Sequence, residues 1–472
     1  MQAVDVVWVR HDLRLTDNPA LTACKERPLV LIFTADGIDL ESIGAASRVY
    51  LHHALTSFQN DLRKVYGARL LIFSTLDEAL ETIQRTVRVD QVLWNRAYDP
   101  TRFERDSAWE DRLKAQGMRP IVCRGSVLVE PWEIKNKSGK PFKVFTPFYK
   151  TFLARGAPLE PVARPRQLKT FEHPKLHEGQ VESLHLLPPK PRWDLPMMSS
   201  WITSESEWWQ AWKSFRQRRL LQYPQARDVP SETGTSRISA ALHFGQISPR
   251  SLWADARKHP DAGTESFLRQ VVWREFAISS LFYQPTMDRV PIIQPFEKFP
   301  WADEPEHLLA WQRGRTGYPI VDAGMRELWQ TGWMHNRVRL IVGSFLVKNL
   351  HINWVEGWNF FWDTLVDADR ANNSMGWQWV AGCGIDPSPY FRIFNPMVQS
   401  ERFDPDGTYI KRWIPELERI PKRWIHSPWK APPATRRLAA DYPDPVVDFA
   451  ESRQQALMFY DKIKRIKAAA HR

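Results

Sequence analysis

In the first 123 residues, short continuous apolar runs alternate with amphipathic stretches, and this alternation constrains the fold more than any other feature. The apolar runs occupy 4–9, 29–33, 68–74, 91–95 and 119–123; the amphipathic stretches between them occupy 47–66, 76–86 and 103–116. A strand without polar interruption is buried on both faces, which is the mark of a parallel sheet covered on each side by helices. Gly67, just past the first amphipathic stretch, is a helix-terminating residue. The pattern predicts a doubly wound parallel α/β sheet. Its loops carry neither GxGxxG nor GxxxxGK[ST], so this half lacks the standard dinucleotide and P-loop phosphate sites.

After about residue 130 the strand pattern stops. Residues 156–199 are rich in Pro, Lys and His with little periodicity, as expected of an interdomain connection. From about 200 the pattern is helical and dense in Trp, Arg and other aromatics. The predicted organisation is an N-terminal α/β domain (1–130), a long linker (131–199) and a C-terminal all-helical domain (200–472). There are no internal repeats.

At 472 residues the chain buries ample core. No run of about 18 apolar residues is present, so no membrane span is expected. The N-terminus enters a strand pattern directly, without the basic and apolar regions of a signal peptide. Cys24, Cys123 and Cys383 are far apart and odd in number, which argues against a disulfide framework, and they are too few for a four-cysteine metal or iron–sulfur site. The expectation is a cytoplasmic protein with no metal. Sixty-five Lys and Arg against 54 Asp and Glu give a net charge of +11, which points to a polyanionic partner. Twenty-three tryptophans exceed ordinary usage; such a surplus serves packing and also suits stacking on planar ligands or bases.

Four stretches of the helical part carry candidate chemistry. In 366–379, two acids, a pair of amides and two indoles converge; if the second half is helical, Asp369, Asn373 and Trp377 share one face while Trp379 points elsewhere. That face suits a flat hydrogen-bonding ring system, or equally a buried indole beside capping acids. In 234–239, Thr235, Ser236, Arg237 and Ser239 precede an apolar run, as an anion site at a helix start or as plain N-caps. Gln270, Trp273 and Arg274 fall at i, i+3 and i+4, where an amide, an indole and a guanidinium read a base edge, stack on it and hold a phosphate, unless the helix is merely amphipathic. Asn336 and Leu340 share a face of the next helix, and Arg339 projects differently, in a position to pair with an acid such as Asp367.

Taken together, these motifs resemble the DNA photolyase/cryptochrome flavoproteins, closest to the bacterial members that repair cyclobutane pyrimidine dimers. The resemblance runs through Trp8–Arg14, Lys143–Phe148, Gly234–Arg237, Trp273–Phe276, Thr316–Pro319, Trp333–Arg337, Asp367–Trp379 and Tyr390–Pro396, nearly the whole chain. It implies a U-shaped FAD in the helical domain. Thr235, Ser236, Arg237 and Ser239, with Ile238 among them and Tyr223 nearby, match the pyrophosphate-binding positions. Arg339 and Asp367 match an ion pair beside the flavin, Asp369 a ligand of the ring and ribose edge, and Asn373 the residue facing flavin N5. Trp377, Trp354 and Trp301 match the indole chain that carries electrons from the surface.

The implied activity is light-dependent repair: photoexcited reduced FAD donates an electron to a dimer flipped out of damaged DNA, the ring bonds split, and the electron returns. Trp273 and Trp379 match the indole walls of the lesion pocket; Asn336, Arg337 and Arg227 match contacts to the lesion and its phosphates. Gln270 stands where dimer-repair relatives usually carry Glu. A carboxyl group shares a proton with the developing radical anion whereas an amide only donates a hydrogen bond, so slower splitting is expected. Leu340 replaces the usual Met, a mild apolar change. Gln at 270 also occurs in relatives that repair (6-4) photoproducts, but that chemistry needs histidines where this chain has Asn336 and Leu340. A cryptochrome-like blue-light receptor is the alternative. The resemblance further implies an antenna chromophore, folate or deazaflavin; the acid that folate-binding relatives use falls near Thr101–Arg102, which leaves its identity open. A monomer is expected.

Overall fold

The computed structural model describes residues 3–24, 27–386 and 391–469. Tyr390, the first residue of the closing motif, lies outside the described residues. Five parallel strands, β1 (Ala3–Val9), β2 (Leu29–Thr34), β3 (Leu70–Phe73), β4 (Arg88–Asn95) and β5 (Arg119–Cys123), form one sheet in the order β3-β2-β1-β4-β5. Val7 in the centre pairs with Leu31 on one side and Leu93 on the other. All of β2 and all but the first residue of β1 are buried, as an apolar run enclosed by helices requires. The Ala45–Tyr66 helix stops at Gly67, whose φ of 66° is one that glycine adopts without a Cβ penalty, and its N–H bonds to the Arg63 carbonyl at 2.9 Å.

The chain condenses into two compact units that interleave in sequence. The first comprises Met1–Pro141, Phe148–Leu221 and Ser236–Pro285; the second comprises Phe142–Pro147, Gln222–Thr235 and Thr286–Arg472.

In the first unit, residues 156–199 hold little regular structure, as their composition predicted, yet they are fastened to the sheet. Leu29 N donates to Lys169 O at 2.7 Å, Phe171 N to Leu29 O at 2.9 Å, and Gln59 Nε2 to Gly179 O at 2.8 Å. The polar break after β1 is a second clasp. Arg10 pairs with Asp106 at 2.6 Å, Asn95 Nδ2 donates to Asp12 at 2.6 Å, and Arg14 donates to the carbonyls of Gly245 and Gly125 at 2.8 Å each. Doubly wound sheets commonly take ligands where the strand order reverses, here beyond β1 and β4. This chain fills that end with its own side chains. Gly245, at φ 70°, lies so close to the His11 carbonyl that any Cβ would overlap it.

The second unit is helical. Its main helices, Pro319–Thr331, Asn336–Lys348, Trp354–Thr364 and Arg370–Ala381, each begin on a local signal: Pro319 at the first helical position, then the capping side chains of His335, Asn353 and Asp369. Gly332, in the left-handed region, ends the first. These helices surround one apolar cluster that includes Met325, Val342, Phe345, Trp354 and Trp377. Among the described residues no helix is long and apolar enough to cross a membrane, and no three His, Cys, Asp or Glu side chains gather as metal ligands.

Candidate functional site

The Arg370–Ala381 helix begins one residue later than the shared face of Asp369, Asn373 and Trp377 requires. Asp369 precedes it in extended conformation and caps it, accepting from Asn372 N at 2.8 Å and Asn372 Nδ2 at 2.6 Å. Only Asn373 and Trp377 therefore share a helical face, because an acid before a helix is more stable satisfying orphan N–H groups than continuing the turn. Asn373 Nδ2 donates to the Trp358 carbonyl at 3.1 Å. Trp377 is buried, with Phe361 at 4.9 Å and Trp311 at 6.2 Å between ring centres, both edge-on. Its Nε1–H is buried without an acceptor.

Asp367 sits beside this helix and pairs with Arg339 at 3.1 Å, the pairing that the projection of Arg339 suggested. Arg339 also donates from Nε to the Met334 carbonyl at 2.8 Å. His335 caps the helix that carries Arg339: its Nδ1 accepts from Arg337 N at 3.2 Å, and its own N–H donates to Glu327 at 3.1 Å. Burial, reinforced by the nearby Arg337, Arg339 and Arg227 and opposed by Asp228, lowers the imidazole pKa to about 4. At neutral pH it is uncharged, and with Nδ1 accepting, the proton sits on Nε2, which is buried without a partner.

Of the three expected electron carriers, Trp377 and Trp354 are buried in the apolar cluster, and Trp301 packs on its edge, half-buried, with its ring 4.3 Å from Phe299. Trp379 and Leu340 are half-buried against the same cluster, while Asn336 is exposed. Tyr223 is buried and carries the Arg227 guanidinium 5.4 Å over its ring. Gly234 lies against the Ala226 carbonyl, where a Cβ would overlap, and Thr235 follows it, half-buried.

The remaining candidates belong to the first unit. Arg237 adopts φ 53°, unusual for a side chain of its size; Ile238 N donates to Ser236 Oγ at 3.4 Å; and Ser239, exposed, opens the short Ser239–His243 helix. Gln270 and Trp273 are half-buried on the Ala262–Tyr283 helix. Gln270 Nε2 donates to the Ser266 carbonyl at 3.4 Å, and Trp273 meets Phe276 edge-on at 5.8 Å. Arg274, the guanidinium of that face, is engaged within the protein. It donates to the Ser126 carbonyl at 3.1 Å and pairs with Glu275 at 3.0 Å, which in turn accepts from Leu128 N and Val129 N.

Sequence reasoning missed a cleft of about 610 Å³ in the second unit, lined by Arg337, Arg392, Arg402 and Arg453 with Phe391 and Phe394. Arg337 and Arg402 both lie over the Phe403 ring, at 4.4 and 5.0 Å. Arg337 and the 390–396 motif were singled out in the sequence, but the four arginines are spread over more than a hundred residues, and nothing there showed that they line one cleft.

Residues 5–166 match the model of DNA photolyase, and residues 267–462 match that of the FAD binding domain of DNA photolyase. The chain is 39% identical over 473 residues to the deoxyribodipyrimidine photo-lyase of Agrobacterium fabrum, covering 98% of each chain. It is 33% identical to cryptochrome-1 of Arabidopsis thaliana, covering 98% of this chain and 71% of that one. The crystal structure of a bacterial class III photolyase from Agrobacterium tumefaciens superposes with a TM-score of 0.93 at 38% identity over 98% of each chain.

Proposed function

The chain belongs to the DNA photolyase family, and from that premise we propose that it uses FAD and blue or near-ultraviolet light to split cyclobutane pyrimidine dimers in damaged DNA. The observation that carries the reading is the Arg339–Asp367 pair, together with the polar groups that the same matched segment supplies. An ion pair, the Asn373 amide and two buried N–H groups without acceptors (Trp377 Nε1 and His335 Nε2) occur within the residues matched to the FAD-binding model. That set of donors and acceptors fits a flavin ring edge. Reduced FAD, when bound, supplies the photoexcited electron that opens the cyclobutane ring and takes it back afterwards.

The chain's own residues hold and orient. Asn373 commits its Nδ2 to Trp358, which leaves Oδ1 as the acceptor for a flavin N–H. Thr235, Ser236, Arg237 and Ser239 hold the pyrophosphate, with Ile238 N and Tyr223 beside them, and Asp369 takes the ribose edge. Trp301, Trp354 and Trp377 conduct electrons inward from the surface. On the lesion, Trp273 and Trp379 stack, while Gln270, Asn336 and Leu340 contact the bases; Arg227 and Arg337 hold phosphates, and the cleft around Arg392, Arg402 and Arg453 continues the phosphate track that Arg337 begins. The division into 1–130, 131–199 and 200–472 is one of activity, antenna part, connection and catalytic part, and not one of packing. Three free cysteines suit the cytoplasm. We propose a monomer as the working state. An antenna of the folate or deazaflavin class would bind the N-terminal part.

The test is to illuminate the reduced protein with a dimer-containing oligonucleotide and count dimers lost per protein molecule. Many turnovers support repair. Flavin photoreduction without dimer loss would replace repair with the photoreceptor reading that the cryptochrome-1 similarity keeps in view.

A further inference from the structure

The second unit buries a cation that the proposed repair reaction does not use. Lys348 ends the Asn336–Lys348 helix at 3% exposure, and among the described residues no carboxylate pairs with it. Its Nζ donates to the Arg392 carbonyl at 2.7 Å and lies 3.9 Å from the centre of the Phe391 ring. Phe391 in turn stacks on Tyr460 at 4.2 Å, with the Lys464 ammonium 4.9 Å over Tyr460. The other groups facing Lys348 are the buried Cys383 thiol, which burial keeps protonated, and the Arg392 guanidinium.

Such a burial disfavours the charged form. Desolvation, with a smaller push from the Arg392 guanidinium, brings the Lys348 pKa down to about 7. An uncompensated buried ammonium costs stability, and an apolar side chain of similar length would fill the space at less cost. What the ammonium does touch is the segment from Phe391 to Phe394, which forms one wall of the arginine-lined cleft.

We infer that Lys348 is a positioning residue for DNA binding, whose ammonium pins the Phe391–Arg392 wall of the cleft and makes DNA affinity depend on its protonation. The inference rests on the proposed role of that cleft as a phosphate track. A charge-assisted hydrogen bond is roughly twice as strong as a neutral one, and the attraction to the Phe391 ring exists only while the amine is charged. Deprotonation weakens both anchors at once, and Arg392 loses its fixed place. The sign follows: DNA phosphates in the cleft favour the ammonium, so binding takes up a proton and affinity falls as pH rises through neutrality. Burial shifts the buried histidines of this unit the other way, lowering His335 to about 4 and moving His351 and His426 below the ordinary imidazole value.

The experiment measures affinity for a dimer-containing duplex by fluorescence anisotropy at constant ionic strength, from about pH 6 to about pH 8.5. The full chain is compared with Lys348→Met, Lys348→Arg and Arg402→Ala. The wild type should weaken several-fold over that range, bounded by about tenfold per pH unit for one linked proton. Lys348→Met should bind weakly and show a flat profile, while Lys348→Arg, always charged, should bind tightly and be equally flat. A wild-type slope preserved in Lys348→Met overturns the inference. If Lys348→Met does not fold, proton uptake by the wild type, measured calorimetrically in two buffers of different ionisation heat, decides: no uptake near neutral pH overturns it. Unchanged affinity in Arg402→Ala would instead show that DNA bypasses the cleft, which removes the phosphate track itself.

Discussion

One nitrogen of the Arg339 guanidinium donates to both oxygens of Asp367, at 3.1 and 3.3 Å, and so ties the Asn336–Lys348 helix to the turn before the Arg370–Ala381 helix. The carboxylate is 5% exposed and the guanidinium 24%, so the pair is shielded from water on the acid's side only. A pair in that setting is worth more than a surface ion pair, and its loss leaves that nitrogen without its acceptor. The helices on either side of it carry Leu340 and Asn373, both half-buried.

Asp367→Asn keeps the shape and removes the charge. The expected outcome is a folded protein with weakened hold on FAD, by about 1–3 kcal/mol. Flavin absorbance per protein after gel filtration, followed by FAD titration of the stripped protein, measures it. Retention equal to wild type would place the pair away from the cofactor.

Gly357 faces the Trp377 ring so closely that a Cβ would overlap it, whereas a Cβ at Gly343 would stand 3.3–3.4 Å from Val380 and Trp377. Gly357→Ala should therefore displace the indole, cost about 1–3 kcal/mol by overpacking, and slow photoreduction of the flavin. Gly343→Ala should be far milder in both respects. Equal photoreduction rates in the two variants would remove Trp377 from the electron route.

Much of this was legible in the chain because the signals were local. Apolar runs such as 29–33 specify a strand wherever they fall, and Gly67 ends its helix in the sequence as it does in the structure. The Arg339–Asp367 pair was within reach of spacing arguments because both residues flank helix starts. Asp369 was misplaced by one step: spacing alone does not separate a first helical residue from a cap. The contacts of Arg274 were hidden for a different reason. Its partners, Ser126 and Glu275, include a carbonyl far off in sequence that no periodicity announces. The arginine cleft and the burial of Lys348 likewise depend on long-range assembly, and helical spacing reports one helix at a time.

The buried polar segment that follows β1 has a plain test in stability. Asp17 and Arg250 pair at 2.6 Å with side-chain exposures of 0% and 4%, and Asp17 also accepts from Ser248 Oγ and from Val162 N. Arg250→Met strands a buried carboxylate and is expected to cost about 3–5 kcal/mol in urea unfolding. Little change would mean that water reaches Asp17 in solution.

His335 sets a pH dependence whose direction is fixed by its burial. Its pKa in the fold is about 4 against an ordinary value of 6.5, so the unfolded chain binds more protons between those limits. The stability tied to the neutral ring is complete above about pH 6.5 and is lost progressively as the pH falls toward about 4, by at most about 3 kcal/mol. His335→Asn retains a capping oxygen and removes the titration. Its urea midpoint should fall less steeply than that of the wild type over this range; parallel curves would contradict the assignment.

Gln270 is where this chain departs from the pattern of dimer-repair relatives, and its geometry says what the change does. The amide donates to the Ser266 carbonyl at 3.4 Å, a long bond within its own helix, so it turns toward a better acceptor at small cost. It offers that acceptor a hydrogen bond and no proton, because an amide does not ionise in this range. A carboxyl group at the same place shares a proton with charge developing on the lesion, where preorganised donors act most strongly. Gln270→Glu is therefore expected to raise the quantum yield of dimer splitting while leaving flavin binding unchanged. The gain should appear below the pKa of the new carboxyl and fade above it, since only the protonated form donates. Quantum yields measured against pH with saturating dimer separate this from a change in affinity. A yield that stays level or drops at every pH would mean that residue 270 does not reach the lesion.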